Sequence, residues 1–380
     1  MNARCLKVRC LKAREFYMGR KQAVTYQDIA EYTGFSKATI SRYFNDRDSL
    51  TLEKQDAISE ALKKLDYRQN KVARVLANGK TEMVGILLPD LYHHFYYQIL
   101  NKILGTYREF GFKFLVFNGD HNEEVERRYL QELMAYKVEG MIVLSNTLSS
   151  EELAGTGIPI VAIEREDRSI HSITTDNYLG GQMAAELLRK RGCTKLFHIN
   201  SEVPPGYILP ARDRIPGFVD YCEKNGISHQ EYYFRYRPDQ ESLQKQIGGI
   251  LEKIEACRGG EKAGIFAGND TYANTILNIL LRCGKKIPSE YQIVGFDDSP
   301  IALDAVFPIS TIGQQAQQMA ESAVSLLSEE MRKMRQRRPD PSKEPIHKII
   351  QPVLIERETT LREKSDREWG STQHFESSFQ

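Results

Sequence analysis

Apolar positions along the chain fall into two regimes. Between Thr25 and Leu65 they recur at helical spacing, with Ile29 and Ala30, then Phe35, Ile40 and Phe44, then Ile58, Ala61, Leu62 and Leu65 each gathered on one face. From residue 82 onward, short apolar runs of strand length take over: MVGILLP, KFLVFNG, EGMIVLS, IPIVAIE, KLFHINS, KAGIFAG and YQIVGF. Helix-period stretches such as Tyr96 to Phe110 and Arg212 to Asn225 separate them. Runs that are apolar on both faces and alternate with helices predict buried parallel strands joined by right-handed crossovers. So many units exceed what one doubly wound sheet usually holds, so two sheets are expected.

The helical regime has its own punctuation. In VTYQDIAEYTGFSKATISRYFN, Val24 to Asn45, Thr25 is placed to cap a first helix from Tyr26 to about Tyr32, with Asp28 in its first turn. Gly34 supplies the positive φ of a tight turn, and Ser36 caps a second helix from Lys37 to about Phe44. A third helix reads from Thr51 to about Leu65. The apolar positions leave Lys37, Ala38, Ser41, Arg42 and Asn45 facing outward. Lysine and arginine reach guanine edges or phosphates, asparagine reads adenine, and hydroxyls contact phosphate, so this face carries the inventory of a major-groove reader. An ordinary structural three-helix bundle would not need it.

Composition sharpens that contrast. With 380 residues, 41% of them hydrophobic, the chain has material for two or three packed cores. The formal net charge of +1 hides an asymmetry. Residues 1–17 carry five Lys/Arg against one Glu, and residues 18–80 carry twelve against eight Asp/Glu, so a basic head precedes an acidic body. No run of apolar residues reaches transmembrane length, and MNARCLKVRCLKAREFY lacks the apolar core of a secretory signal, which predicts a cytoplasmic protein with no membrane partner. The six cysteines show no C-x-x-C spacing, and no His or Cys is spaced to join His93 and His94 around a metal, so free thiols, no metal and no cofactor are expected. No G-x-S-x-G, Walker loop or activated nucleophile stands out, which argues against an enzyme.

The Val24 to Asn45 stretch resembles the DNA-binding head of the lac repressor family, whose pattern V-T-x-x-D-[IV]-A-x-x-[AT]-G-[VF]-S-x-x-T-[VI]-S-R-x-x-N is met almost position by position. The resemblance implies base contacts from Lys37, Ala38 and Arg42, and positioning contacts from Thr25, Tyr26, Ser36, Ser41 and Asn45. It also makes RQNKVARVLANGKTE, Arg68 to Glu82, a hinge helix that orders on double-stranded operator DNA. There Leu76 would wedge into the minor groove, with Asn70, Ala73 and Arg74 beside it. Gln69 stands where relatives often have proline.

For the body, the resemblance implies a periplasmic-binding-protein-like α/β fold. Two doubly wound parallel-sheet subdomains would be joined by three crossovers, with a carbohydrate-type small-molecule effector between them. Ligands of open α/β sheets sit beyond the carboxyl ends of strands. Polar residues there include Glu164 after IPIVAI, Asn269 and Asp270 after GIFAG, Asp297 and Asp298 after YQIVGF, and Arg212 and Arg214 after a long loop. Acceptors for hydroxyls beside an arginine that donates make a plausible carbohydrate site. By matching motif, Arg214, Asn269 and Asp297 are the implied effector contacts, Glu164 stands where relatives often have Asp, and His94 and Phe95 fall where the cleft begins. Asp270 and Asp298 read as caps. Relatives often place an aromatic ring after the strand that here reads EYYFRYRPD, where this chain is read as offering Arg237 or Pro238. That suggests a charged effector such as a sugar phosphate, bound by Arg237.

The expected organisation is a basic extension over 1–17, read as an upstream start-site artefact or a basic arm, a helix-turn-helix domain over 18–68 and a hinge over 69–81. An effector-binding and dimerisation domain over 82–362 follows, then a disordered tail over 363–380 that holds the single Trp369. Within the domain, 82–177 with 310–340 and 178–309 with 341–362 are the two subdomains expected. The last of these includes one strand, KIIQPVLIERET. A tail without leucine heptads predicts a homodimer suited to a pseudo-palindromic operator. The competing readings are a sugar-transport binding protein, or a regulator that needs a corepressor, either a non-sugar ligand or the phosphocarrier protein some relatives use.

Overall fold

A computed structural model of the chain describes residues 24–67, 80–165, 169–202, 209–336 and 344–361. They belong to two compact units divided between Lys80 and Thr81. Asn70, Ala73, Arg74 and Leu76 of the expected hinge, Gln69 beside them, the first 17 residues and the tail from residue 363 lie outside the described residues.

The first unit holds α1 (Tyr26–Thr33), α2 (Lys37–Asn45) and α3 (Leu52–Lys64). Thr25 and Asp28 form a reciprocal capping box that satisfies two of the backbone donors a helix start leaves unpaired. Gly34, at φ 75°, returns its N–H to the Ala30 carbonyl and closes α1. Ser36 Oγ accepts from Thr39 N at 3.2 Å and opens α2. Ile29, Ile40, Ile58 and Ala61 are fully buried between the helices. Tyr26 stacks on Phe44 with ring centroids 5.1 Å apart, and Tyr67 leans on both.

The second unit is built on twelve described strands: β1 (Met83–Leu88), β2 (Lys113–Asn118), β3 (Gly140–Val143), β4 (Ile160–Ile163), β5 (His171–Thr175), β6 (Lys195–Ser201), β7 (Ser228–Phe234), β8 (Ala263–Ala267), β9 (Tyr291–Asp297), β10 (Ser310–Gly313), β11 (His347–Ile350) and β12 (Val353–Ile355). They make two six-stranded sheets, ordered β11-β5-β4-β3-β1-β2 and β12-β10-β9-β8-β6-β7. The two orders repeat one another, and every described pairing is parallel except that of β12 with β10. Central strands such as β3, β4 and β8 are buried along their whole length, as a sheet covered by helices on both faces requires. The covering helices are α4 (His94–Gly105), α5 (Tyr107–Phe110), α6 (Glu123–Ala135), α7 (Ser150–Ala154), α8 (Asn177–Lys190), α9 (Arg214–Lys224), α10 (Gln240–Arg258), α11 (Asp270–Arg282), α12 (Pro300–Asp304) and α13 (Ala316–Arg335).

The last crossovers fall differently from the sequence expectation. β10, placed with the first subdomain by the sequence, pairs with β9 in the second sheet, and α13 after it returns to cover the first. The segment read as one final strand is two. β11 pairs with β5 in the first sheet and β12 with β10 in the second, separated by Gln351 and Pro352. Proline has no N–H for a ladder, so the strand breaks there and the chain changes sheets. Hydrogen bonds tie the three crossings together. Asp176 N donates to the Ile350 carbonyl at 3.0 Å, and Gln315 Nε2 donates to the Gln351 carbonyl at 2.6 Å.

Candidate functional site

On the first unit, Lys37, Ala38, Arg42 and Asn45 of α2 are all exposed, and Ser41 between them is half-buried. Asn45 Nδ2 donates to Ser41 Oγ at 3.1 Å, so one amide proton is held while the rest of the side chain faces out. Thr25 and Ser36 spend their oxygens on helix caps, and Tyr26 spends its ring on the core. The outward face is therefore that of α2, fixed from beneath by Ile40 and Phe44.

In the second unit a cleft opens at the carboxyl ends of the strands of both sheets. Arg214, at the start of α9, is its central cation and is 5% exposed. Its Nε donates to Asn177 Oδ1 and its Nη1 to the Gly268 carbonyl, both at 2.7 Å, while the guanidinium lies over the Phe296 ring at 3.5 Å. Two carboxylates flank it: Asp297 Oδ1 at 3.8 Å from Nη1, and Glu164 Oε2 at 4.0 Å from Nη2. Nη2 makes no hydrogen bond among the described residues. The arginine is placed by close helix contact. A Cβ on Gly181 of α8 would come within 2.1 Å of the Arg214 carbonyl, and one on Gly217 within 2.0 Å of the Tyr178 carbonyl. Only glycine lets α8 and α9 approach this closely.

The carboxylates are held by the backbone they terminate. Glu164 (φ 52°) and Asp297 (φ 116°) both adopt left-handed backbone, a strain that gathers at ligand sites. Glu164 Oε1 accepts from Thr175 N at 2.6 Å, and Asp297 Oδ1 accepts from Gln314 Nε2 at 2.6 Å. Burial pushes the Asp297 carboxyl up to about 6, with the Arg214 charge offsetting part of that rise. Glu164 is raised for the same reason and is likewise partly restrained by Arg214. Burial lowers Arg214 in turn, against the pull of both acids. Asn269 lines the cleft and caps α11, its Oδ1 accepting from Tyr272 N at 2.9 Å.

Phe95 is buried and lines the cleft, but its neighbour His94 does not. The helix start turns His94 away, and its Nδ1 meets Thr271 Oγ1 at 3.1 Å. His93 takes the cleft position instead. Its Nδ1 lies 3.2 Å from Asp90 Oδ2, and its Nε2 lies 3.2 Å from Tyr272 Oη on the other subdomain. His121 Nε2 meets the same Asp90 oxygen at 2.6 Å. Burial opposes ionisation of Asp90, but hydrogen bonds from His121 and His93 outweigh it and hold the carboxyl well below the usual range.

Arg237 lines the cleft from an exposed position and pairs with Asp120. Its Nη2 donates to Asp120 Oδ1 at 3.2 Å and to the Asp120 carbonyl at 3.3 Å, which spends it on bridging the subdomains. The ring thought missing after β7 is present one residue earlier as Tyr236, which lines the cleft and meets His121 edge-on. Asp270, read as a cap, is not one: Asn269 caps α11, whose first residue is Asp270. Its two oxygens accept from Thr311 Oγ1, Ser299 N and Ser299 Oγ, joining β10 to the segment after β9. Gln314, Asn146, His121 and Tyr236 are cleft residues the strand-end reading did not single out. They stand on the short connections that follow β10, β3, β2 and β7, one to three residues past the strand ends.

A capped recognition helix with a cationic face, followed by a two-sheet body with a polar cleft, defines a DNA-binding regulator with a ligand-binding body. Residues 25–70 match the bacterial regulatory proteins of the lacI family, and residues 185–360 match the periplasmic binding protein-like domain. The chain thus carries a lacI-family DNA-binding region ahead of a periplasmic-binding-protein-like domain. It is 29% identical over 305 residues to the ribose operon repressor of Bacillus subtilis, covering 80% of this chain and 90% of that one. With the sucrose operon repressor of Streptococcus mutans it shares 28% over 306 residues, covering 79% and 90%. Among solved structures, a periplasmic binding protein/LacI transcriptional regulator from Alkaliphilus metalliredigens, complexed with D-xylulofuranose, is 29% identical with a TM-score of 0.64, covering 74% of this chain and all of that one. The lac repressor dimer bound to operator superposes with a TM-score of 0.74 at 21% identity over 90% of this chain and all of that one, a likeness of fold.

Proposed function

We propose that this protein is a sugar-controlled repressor whose homodimer binds a pseudo-palindromic operator through α2 and the hinge, and whose cleft takes a neutral, pentose-sized sugar. The carrying observation is the Glu164, Arg214, Asp297 group, where two buried acceptors converge on a donor whose Nη2 makes no hydrogen bond among the described residues. Vicinal hydroxyls both donate and accept, so one sugar can satisfy both kinds of group. Phe95 and Tyr236 supply apolar faces for the ring. The ribose repressors among the relatives, and the furanose bound by the similar solved structure, support the same size class. Two carboxylates and an Arg237 already held by Asp120 disfavour a phosphate, so the charged-effector reading is set aside. Operator binding places its work in the cytoplasm, and nothing in the cleft calls for a reaction.

The base contacts proposed are Lys37, Ala38 and Arg42, with Thr25, Tyr26, Ser36, Ser41 and Asn45 positioning and Asn70, Ala73, Arg74 and Leu76 engaging the minor groove. The test is a thermal-shift panel of neutral pentoses, disaccharides and sugar phosphates. A rise in Tm with a pentose, lost in Arg214→Ala, supports the reading. A rise with phosphates alone contradicts it.

A further inference from the structure

We propose that Glu139 is the positioning residue that couples the effector cleft to the DNA-binding head, by clasping the first residues of the body against the far end of α13. The inference rests on the sugar-controlled reading above.

The clasp is built from short, directed bonds. Glu139 Oε1 accepts from Thr81 N at 2.7 Å and from Glu82 N at 2.8 Å, the first two residues of the second unit. Its Oε2 pairs with Arg335, in the last turn of α13. Thr81 is buried, and its Oγ1 donates to the Lys137 carbonyl at 2.8 Å. Lys113 Nζ meets Glu82 Oε2 at 3.0 Å, so the starting ends of β1, β2 and β3 are all drawn in. Glu82 (φ 57°) and Lys137 (φ 54°) are both in left-handed backbone, the strain of a segment held from two sides. The chain that leads to the head leaves the body at this point.

The other end of α13 begins at the cleft. Gln314 donates to Asp297 Oδ1 at 2.6 Å and accepts from Thr175 Oγ1 at 2.8 Å, and α13 starts two residues later. A 20-residue helix spans about 30 Å, enough to join the cleft to the clasp in one element. A second observation fixes that element to the clasp. Gly140, next to Glu139, has no Cβ, and one placed there would lie 2.9 Å from Leu327 Cδ1 and 3.0 Å from Met331 Sδ of α13. The helix therefore sits directly on the start of β3. Any change in how Asp297 holds Gln314 is delivered through α13 to Arg335, and from Arg335 through Glu139 to the backbone amides of Thr81 and Glu82. Coupling of this kind requires one element that both sites bias, and α13 is that element.

The test uses the full chain and the variants Glu139→Gln and Arg335→Met. D-ribose binding is measured by calorimetry, operator binding by titration with and without D-ribose, and Tm on each protein. The variants are expected to bind D-ribose within two-fold of the parent while the ribose-dependent change in operator affinity falls to a third or less. A part that only supports the fold would lower Tm and leave that change intact, and this result overturns the proposal. If the parent protein binds no D-ribose, the same measurements are made with the pentose that raises its Tm, and if no neutral pentose binds, the sugar-controlled reading fails instead and the clasp is judged on operator affinity alone. There, a ten-fold weakening in Glu139→Gln at unchanged Tm supports it and an unchanged affinity overturns it.

Discussion

Arg214 sits over Phe296, its guanidinium carbon 3.5 Å from the ring centre. The bonds from Nε to Asn177 and from Nη1 to the Gly268 carbonyl fix the orientation of the fork, which leaves the N–H groups of Nη2 pointed in set directions. A lysine carries the charge but neither the plane nor the fork. Arg214→Lys is expected to weaken sugar binding by at least about 30-fold, the effect of about 2 kcal/mol for a buried charged donor. Calorimetry measures it, and operator binding without sugar should stay at the parent value.

The Asp297 carboxyl, pushed up to about 6 by burial, makes sugar binding depend on pH. The ionised form accepts from a hydroxyl with both oxygens, so affinity should hold above that value and fall as pH drops through it. Stability of the free protein carries the opposite sign. The folded state binds this proton more tightly than the unfolded chain does, so stability is lost as pH rises from the ordinary carboxylate range through about 6. Asp297→Asn should therefore raise the Tm of the free protein at pH above that value and reduce the pH dependence of sugar binding to what the Glu164 carboxyl, also raised by burial, contributes. A lower Tm there would contradict the account.

His93 and Tyr272 meet across the cleft at 3.2 Å, one from each subdomain. A bond of this kind contributes only when the lobes are closed. Tyr272→Phe should leave Tm nearly unchanged and weaken sugar binding by about 2- to 10-fold, the effect of a net 0.5–1.5 kcal/mol. Isothermal titration distinguishes this from a direct ligand contact, whose loss would be larger.

On the head, Arg42 is exposed on α2 with no partner spent on caps or core. Arg42→Ala is expected to cost about 1–3 kcal/mol on the specific operator and much less on random duplex. An equal loss on both would make Arg42 a phosphate contact, and the salt dependence of binding would then flatten by about one unit of slope.

The helical head was legible because its signals are local. A capping pair three residues apart, one glycine and a 3.6-residue period specify it without reference to anything distant. Most parallel strands were plain as apolar runs, and Glu164, Asn269 and Asp297 were legible as cleft-lining positions because each stands at or just past the end of one, whereas Arg214 was read from the helix it opens. What the sequence hid depends on register across long separations. His93 and His94 are adjacent, and only the first turn of α4 decides which faces the cleft. Tyr236 was missed by one residue, so the ring read as absent after β7 stands in the cleft lining beside Arg237. Pro352 marks a change of sheet, but a break in pairing looks the same in sequence as an edge strand. Gln314 carries no motif at all, since its role comes from Asp297 and Thr175, which lie 17 and 139 residues away.

The most direct test of the account is the affinity of the purified protein for a pseudo-palindromic duplex from its own promoter region, at one stated salt concentration, with and without D-ribose. Coupling of about 1–3 kcal/mol predicts that the sugar weakens binding by about 5- to 150-fold. Specific operator binding that is unchanged at saturating sugar, with sugar binding shown by calorimetry on the same sample, would contradict it.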